Sequence, residues 1–345
     1  MLQSDTAAAL PAAPATRELT FAQAINLALS EEMARDERVI LLGEDVGAYG
    51  GVFTVTRDLQ ARFGPWRVLD TPISETGFLG CAVGAAMCGL RPVAEVMFVD
   101  FTLVAMDQIV NQAAKLPYLS GGQVRMPLVI RTQQGGRPGT AAQHSQCLEA
   151  IFAHVPGLRV VAPATPRDAR GLLKSAIRAD DPVVFLEHKA LYATTGQVPE
   201  AEELIPLGQA AVVRPGTHVT ALTYAAMLPV VLAAAEAVAA DGISVEVIDL
   251  RSLAPLDTET ILASVTRTNR VLVVHEGWRR GGFGAELAGM IQELAFDDLD
   301  APIARVGARD VPKPASRAFD PVYFPTVESV GAAVRSLVHV GGSHA

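Results

Sequence analysis

"RVLDTPISETGFLGCAVGAAMCGLRPVAEVMFV", residues 67 to 99, holds three elements in one run. RVLD reads as a short strand, the run from Thr76 to Leu90 carries no charge and many small apolar residues, and VAEVMFV reads as a second apolar strand. The uncharged run is shorter than the roughly 20 residues that cross a bilayer, so it reads as a helix buried in protein. Two apolar strands joined through a helix make a parallel pair, and parallel sheets are covered on both faces. One carboxylate, Glu75, stands where the first strand gives way to this helix.

The alternation continues on both sides. Upstream, Thr20 with Gln23 forms a capping box for a helix to about Arg35, followed by the buried strand RVILLG at 38–43. Downstream, a helix is expected from about Leu103 to Leu116 and a strand at PLVIRT. Thr165 and Pro166 then open the helix RDARGLLKSAIRA, and PVVFLE follows as a strand. From Tyr192 to Pro215 the periodicity fails and Pro, Gly and Glu accumulate. A second series comprises HVTALTY, an Ala/Val helix at 226–240, SVEVIDL, a helix near 257–266, RVLVVHE and a helix from about Gly282. The expected architecture is α/β with two doubly wound domains, at 17–191 and 216–345, joined by a linker at 192–215 and preceded by a disordered tail at 1–16.

Bulk properties agree with two soluble domains: 345 residues, half hydrophobic, 19% charged. A net charge of -9 with no basic block argues against nucleic acid or an anionic membrane as partner. Cys81, Cys88 and Cys147 lack the spacing of a zinc site or disulfide framework and read as reduced thiols of a cytoplasm. The first twenty residues have no apolar signal core and one basic residue, Arg17, so neither a secretory nor a mitochondrial leader is expected.

In an open parallel sheet, ligands bind outside the carboxyl ends of the strands. Glu44, Glu75, Phe101 and His144 all fall there. Each also has a plain reading: Glu75 as a favourable charge at a helix start, Glu44 as a turn residue, Phe101 as core, His144 as a polar loop residue. Their coincidence at one rim favours a site. GGFGAE and GEDVGAYGG lack the pattern of a nucleotide-phosphate loop. Gly77, Gly80 and Gly84, with Cys81, Ala85 and Cys88, read as a close-packing helix face. His188 and His275, each ending an apolar strand, read as satisfied structural or interface histidines.

The segments LGEDVGAYGGVF, RVLDTPISETGFLGCAVGAAMCGLRPVAEVMFVDF, AAQHSQ, HVPGLRVVAPATPRDARGLLKSAIR and DPVVFLEHKALY occur in order. Over about residues 17–335 the chain resembles the beta subunit of the thiamine diphosphate-dependent decarboxylating component of 2-oxo acid dehydrogenase complexes, nearest the pyruvate and acetoin members. The resemblance implies a pyrimidine-binding domain followed by a transketolase-type C-terminal domain. It implies that Glu75 hydrogen-bonds the cofactor's aminopyrimidine, that Phe101 stacks on that ring, that Glu44 lies in a tunnel between paired sites, and that His144 lies near the reacting carbon. A carboxyl against the aminopyrimidine promotes the imino tautomer that deprotonates the thiazolium, and an apolar wall would raise the pKa of Glu75 for that task. The Gly-Asp-Gly start and downstream Asn pair with which the family holds magnesium and diphosphate are missing. The expectation is therefore half a site, completed by an alpha subunit in an assembly of two alpha and two beta chains that serves a lipoyl-bearing acyltransferase core. The implied reaction is oxidative decarboxylation of a 2-oxo acid, pyruvate first, with acetoin or branched-chain dehydrogenase as alternatives and a non-catalytic structural paralogue behind them. Some relatives bind potassium near the segment matching SAIRADDP; here an expected acid is Ala179, with Asp181 nearby, and no metal is assigned.

Overall fold

The computed structural model describes residues 15–137 and 139–340. The chain opens with β1 (Thr16–Thr20), then supplies β2 (Val39–Gly43), β3 (Val68–Asp70), β4 (Arg91–Val96), β5 (Val129–Gln134), β6 (Arg159–Val161) and β7 (Val183–His188). These last six are parallel. After β8 (Thr195–Pro199) come β9 (Ala211–Arg214), β10 (Val219–Thr223), β11 (Val245–Asp249), β12 (Ser252–Ala254), β13 (Val271–Trp278) and β14 (Ala304–Ala308). One sheet runs β12-β6-β7-β5-β4-β2-β3, the other β14-β13-β10-β11-β9, and β1 with β8 forms an antiparallel ribbon. The alternation of apolar strands and helices thus gives two doubly wound sheets. They are not sealed from each other, because β12, from the second half, pairs antiparallel with β6.

The helices cover the sheets because their apolar positions recur on one face. Phe21, Ile25, Leu29 and Met33 lie four apart on the helix Phe21–Arg35 and are buried; each contributes roughly 1.5 to 3 kcal/mol of apolar burial. Its start is fixed by the capping box: Gln23 N donates to Thr20 Oγ1 at 3.1 Å, and Thr20 N donates to Gln23 Oε1 at 2.9 Å. Thr165 caps the helix Pro166–Arg178 in the same way, accepting from Asp168 N at 3.1 Å. Apolar clusters run continuously from one half of the chain into the other.

Three expectations are corrected. In place of a helix from Leu103 to Leu116, the chain makes a 3-10 segment at Val99–Ala105, wide π turns at Asp107–Ala113 and one α turn at Leu116–Leu119. The Asp107 carboxylate draws in the side-chain amides of Asn111 at 2.8 Å and Gln112 at 3.3 Å, and Pro117 has no N–H with which to continue a helix. The stretch read as a linker carries β8 and β9, whose pairing partners, β1 and β11, lie far away in sequence. Thr16, read as tail, already pairs with Pro199, whereas residues 1–14 lie outside the described residues.

Candidate functional site

Four neighbouring strands, β5, β4, β2 and β3, point their carboxyl ends at one rim, and each delivers one of the expected residues. Glu44 follows β2. The loop after it is clamped by Asp70, at the end of β3, whose Oδ1 accepts from Gly47 N at 2.6 Å. A Cβ on Gly47 would stand 2.4 Å from the other Asp70 oxygen, so only glycine admits the clamp. Glu44 is buried, its Oε1 has no partner among the described residues, and burial raises its pKa, with the charges of Glu75 and Asp45 adding to the effect. A carboxyl so placed gives up its proton less readily than one in water.

Glu75 is the first residue of the helix Glu75–Met87, half-buried, where the macrodipole favours negative charge. Thr76 Oγ1 donates to Val104 O at 2.8 Å, tying this helix start to the turn that carries Phe101. On the other side of the rim the His144 ring lies 5.4 Å from that of Phe101 and 4.8 Å from that of Phe98, nearly perpendicular to both. The structure therefore packs Phe101 against His144, while Glu75 lies near enough to Glu44 for its charge to act on it.

The loop bearing His144 is pinned at its base. Gly135 N donates to Gln146 O at 2.9 Å, Gln146 Nε2 to Asp100 Oδ1 at 2.8 Å, and Gly136 N to Glu276 Oε1 at 2.5 Å. Gly135 has φ +83, and a Cβ there would stand 1.9 Å from His188 Nε2; one on Gly136 would stand 2.1 Å from Phe324. The backbone threads between the two halves of the chain where no side chain fits. Ala141, with φ 52 and ψ -160, holds the turn before His144 in a positive-φ conformation uncommon for any residue but glycine.

Sequence reasoning missed Phe98, Asp100, Lys189 and Glu276. The signal available was a Lys directly after a fully buried strand, in FLEHK. His188 is an interface histidine: it is bonded to Glu276 Oε2 at 2.8 Å across the two halves. Its Nδ1 accepts from Ala190 N at 3.2 Å, which places the proton on Nε2. Cys147 approaches this pair, but with both imidazole nitrogens engaged His188 has no free lone pair to give a metal, which leaves the three short of a ligand. Burial holds the Cys147 thiol well above its usual pKa, so it stays protonated and inert. His275 corrects the expectation of a satisfied histidine: it is fully buried, neither ring nitrogen has a partner among the described residues, and burial lowers its pKa to about 4, with Arg305 and Arg279 adding to the effect.

At SAIRADDP, the Arg91 guanidinium donates to Ile177 O at 2.8 Å and to Arg178 O and Ala179 O at 2.7 Å each, and pairs with Asp180. The helix-end carbonyls thus already face a cation. The small-residue face of Glu75–Met87 is only partly covered within this chain: Cys81, Gly84 and Cys88 are exposed, and a Cβ on Gly84 would meet nothing.

Residues 17–195 match the transketolase pyrimidine binding domain and residues 208–330 the transketolase C-terminal domain. A pyruvate dehydrogenase E1 component subunit beta of Rickettsia conorii is 47% identical over 322 residues, spanning 93% of this chain and 99% of that one. The chain belongs to the E1 beta-subunit family. Acetoin:2,6-dichlorophenolindophenol oxidoreductase subunit beta of Cupriavidus necator, 45% identical over 338 residues, spans 95% of this chain and 99% of that one. A solved structure titled split gene transketolase, inactive beta4 tetramer, superimposes with a TM-score of 0.77 at 24% identity, over 94% of this chain and 99% of that one, and shares the fold. E1 beta-subunit membership implies thiamine diphosphate. The orphaned buried oxygen of Glu44, the acid Glu75 at a helix start and the aromatic wall at Phe101 fit the ring end of that molecule. Among the described residues, no helix is long and apolar enough to cross a membrane.

Proposed function

We propose that this chain is the beta subunit of an E1 component that oxidatively decarboxylates a 2-oxo acid, pyruvate in the first instance, and passes the acyl group to a lipoyl arm. The observation that carries this reading is the pair Glu44 and Glu75, two acids drawn to one rim with Glu44 held toward its protonated form, opposite Phe101 and His144. Thiamine diphosphate, when bound, supplies the nucleophilic carbon and the electron sink for decarboxylation. Glu75 would share a proton with the aminopyrimidine nitrogen, Phe101 would offer its face to that ring, and Glu44 would keep a proton in store behind them. His144, on its pinned loop, would donate a proton to a dithiolane sulfur as the lipoyl ring opens.

Residues 17–191 supply this half-site in our reading, and 216–345 brace it. Magnesium and the diphosphate would be held by an alpha subunit. The exposed face at Cys81, Gly84 and Cys88, beside the exposed Ile73, Leu103 and Val104, suits an apolar partner and supports an assembly of two alpha and two beta chains with a lipoyl-bearing acyltransferase core. Three free thiols fit a cytoplasmic setting.

The chain is to be assembled with an alpha subunit and given a panel of 2-oxo acids and acetoin. Turnover of a 2-oxo acid is expected; turnover of acetoin alone would move the assignment to the acetoin branch, and no turnover would overturn it. In the same assembly Glu75→Gln should bind thiamine diphosphate within a few-fold of wild type yet decarboxylate roughly 10²- to 10⁴-fold more slowly. Wild-type turnover in that variant would return Glu75 to a helix-end charge.

A further inference from the structure

Lys189 follows β7 directly, opening the short turn Lys189–Leu191, and only 2% of its surface reaches solvent. Its Nζ has no hydrogen-bond partner among the described residues and lies 5.1 Å over the Phe98 ring, the ring that His144 meets at 4.8 Å. The charged or titratable groups that act on it are Asp100 in the turn after β4, Cys147 at the end of the His144 loop, Glu276 on β13 and Arg137 in the loop itself. None closes on it. Glu276 is engaged by His188 and Gly136, and Asp100 holds Gln146 with one oxygen while the other has no partner among the described residues.

Burial lowers the pKa of Lys189 from the usual 10.5 to about 8, with Asp100 and Glu276 resisting the fall. At neutral pH the group still carries its charge, at a cost to the fold. An aliphatic side chain would fill the same place without that cost, so the charge calls for a use beyond packing.

We propose, resting on the E1 reading, that Lys189 is a positioning residue whose ammonium, one aromatic ring behind His144, sustains a positive potential that favours negative charge arriving or building beside that histidine. The substrate is an anion, and the group that His144 protonates carries negative charge as it leaves; both fall within the field of Lys189. A unit charge about 9 Å away, at an effective dielectric of about 20, changes a rate by roughly 10- to 30-fold.

The test uses the enzyme assembled with its alpha subunit. Lys189→Met keeps the length and removes the charge. Its kcat/KM for the 2-oxo acid should fall about 10- to 30-fold while its thermal midpoint at pH 7 rises, a divergence that a merely structural lysine would not show. Wild type should lose activity on an alkaline limb near pH 8 that the variant lacks. Asp100→Asn should move that limb to lower pH, because Asp100 supports the charge. Unchanged kcat/KM, or a midpoint that falls together with activity, overturns the proposal; should Lys189→Met fail to assemble, an identical alkaline limb in wild type and Asp100→Asn overturns it equally. If no 2-oxo acid is turned over, the E1 reading falls by itself. The Lys189 charge is still read from wild-type stability, which should climb with pH between about 8 and 10.5, and a flat curve there removes it.

Discussion

Arg131 and Lys189 are both cations withdrawn from water, one within the central strand β5 and one just past the end of its neighbour β7, and they are held in opposite ways. Arg131 is fully enclosed and fully answered. It forks onto Glu187 at 2.6 and 2.9 Å and reaches Glu95 at 2.7 Å, while Tyr192 donates to the same Glu187 at 2.7 Å. Glu95 is directly opposite Arg131 across β4 and β5, so register itself makes the pair. Lys189 has acids near it and none in contact. A buried charge that serves the fold is matched to its partners; one left unmatched next to a site stores electrostatic energy for something else.

The widest separation between the two comes from deleting each charge. Arg131→Met leaves Glu95 and Glu187 buried without a counter-charge and should cost about 3 to 5 kcal/mol in denaturant unfolding. Lys189→Met, by the same measurement, should gain roughly 2 kcal/mol at pH 7; a loss comparable to that of Arg131 would erase the distinction. His275 extends the comparison to a neutral group. Its folded pKa of about 4 lies below the unfolded value of 6.5, so the unfolded chain binds the extra proton between them and stability falls as pH drops through that window. His275→Phe should remove roughly 1 to 3 kcal/mol of that acid sensitivity, and identical pH profiles for the two proteins would show that His275 protonates without strain. Glu202 is the exposed limit. Itself exposed, it reaches the buried Lys174 and the half-buried Arg178, which keep Glu31 and Glu32 as counter-charges, so Glu202→Gln should cost under about 1 kcal/mol, an effect that shrinks further in salt.

How much of this was written in the sequence depends on the range of the interaction. Strand ends are local features, so the positions of Glu44, Glu75, Phe101 and His144 at one rim follow from reading apolar runs and asking what comes next. The caps at Thr20 and Thr165 are local too, and lie where their spacing puts them. Arg131 meets Glu95 and Glu187 across 36 and 56 residues, and nothing in PLVIRT announces either partner. Phe98 looks like any aromatic ending an apolar strand until His144 and Lys189 both come to pack against it. The π turns at Asp107–Ala113 were hidden for another reason: an apolar period near 3.6 is compatible with wider turns, and side-chain amides gathered on Asp107 decide between them.

The strand β12 has a consequence for how such a gene can be rearranged. Its residues Ser252 and Ala254 complete the edge of a sheet whose other strands all come from the first two hundred residues. A polypeptide cut between β8 and β9 would yield a front piece with β6 unpaired on its outer side and a back piece carrying a strand with no sheet to join. Recombination at that seam would therefore exchange incomplete parts.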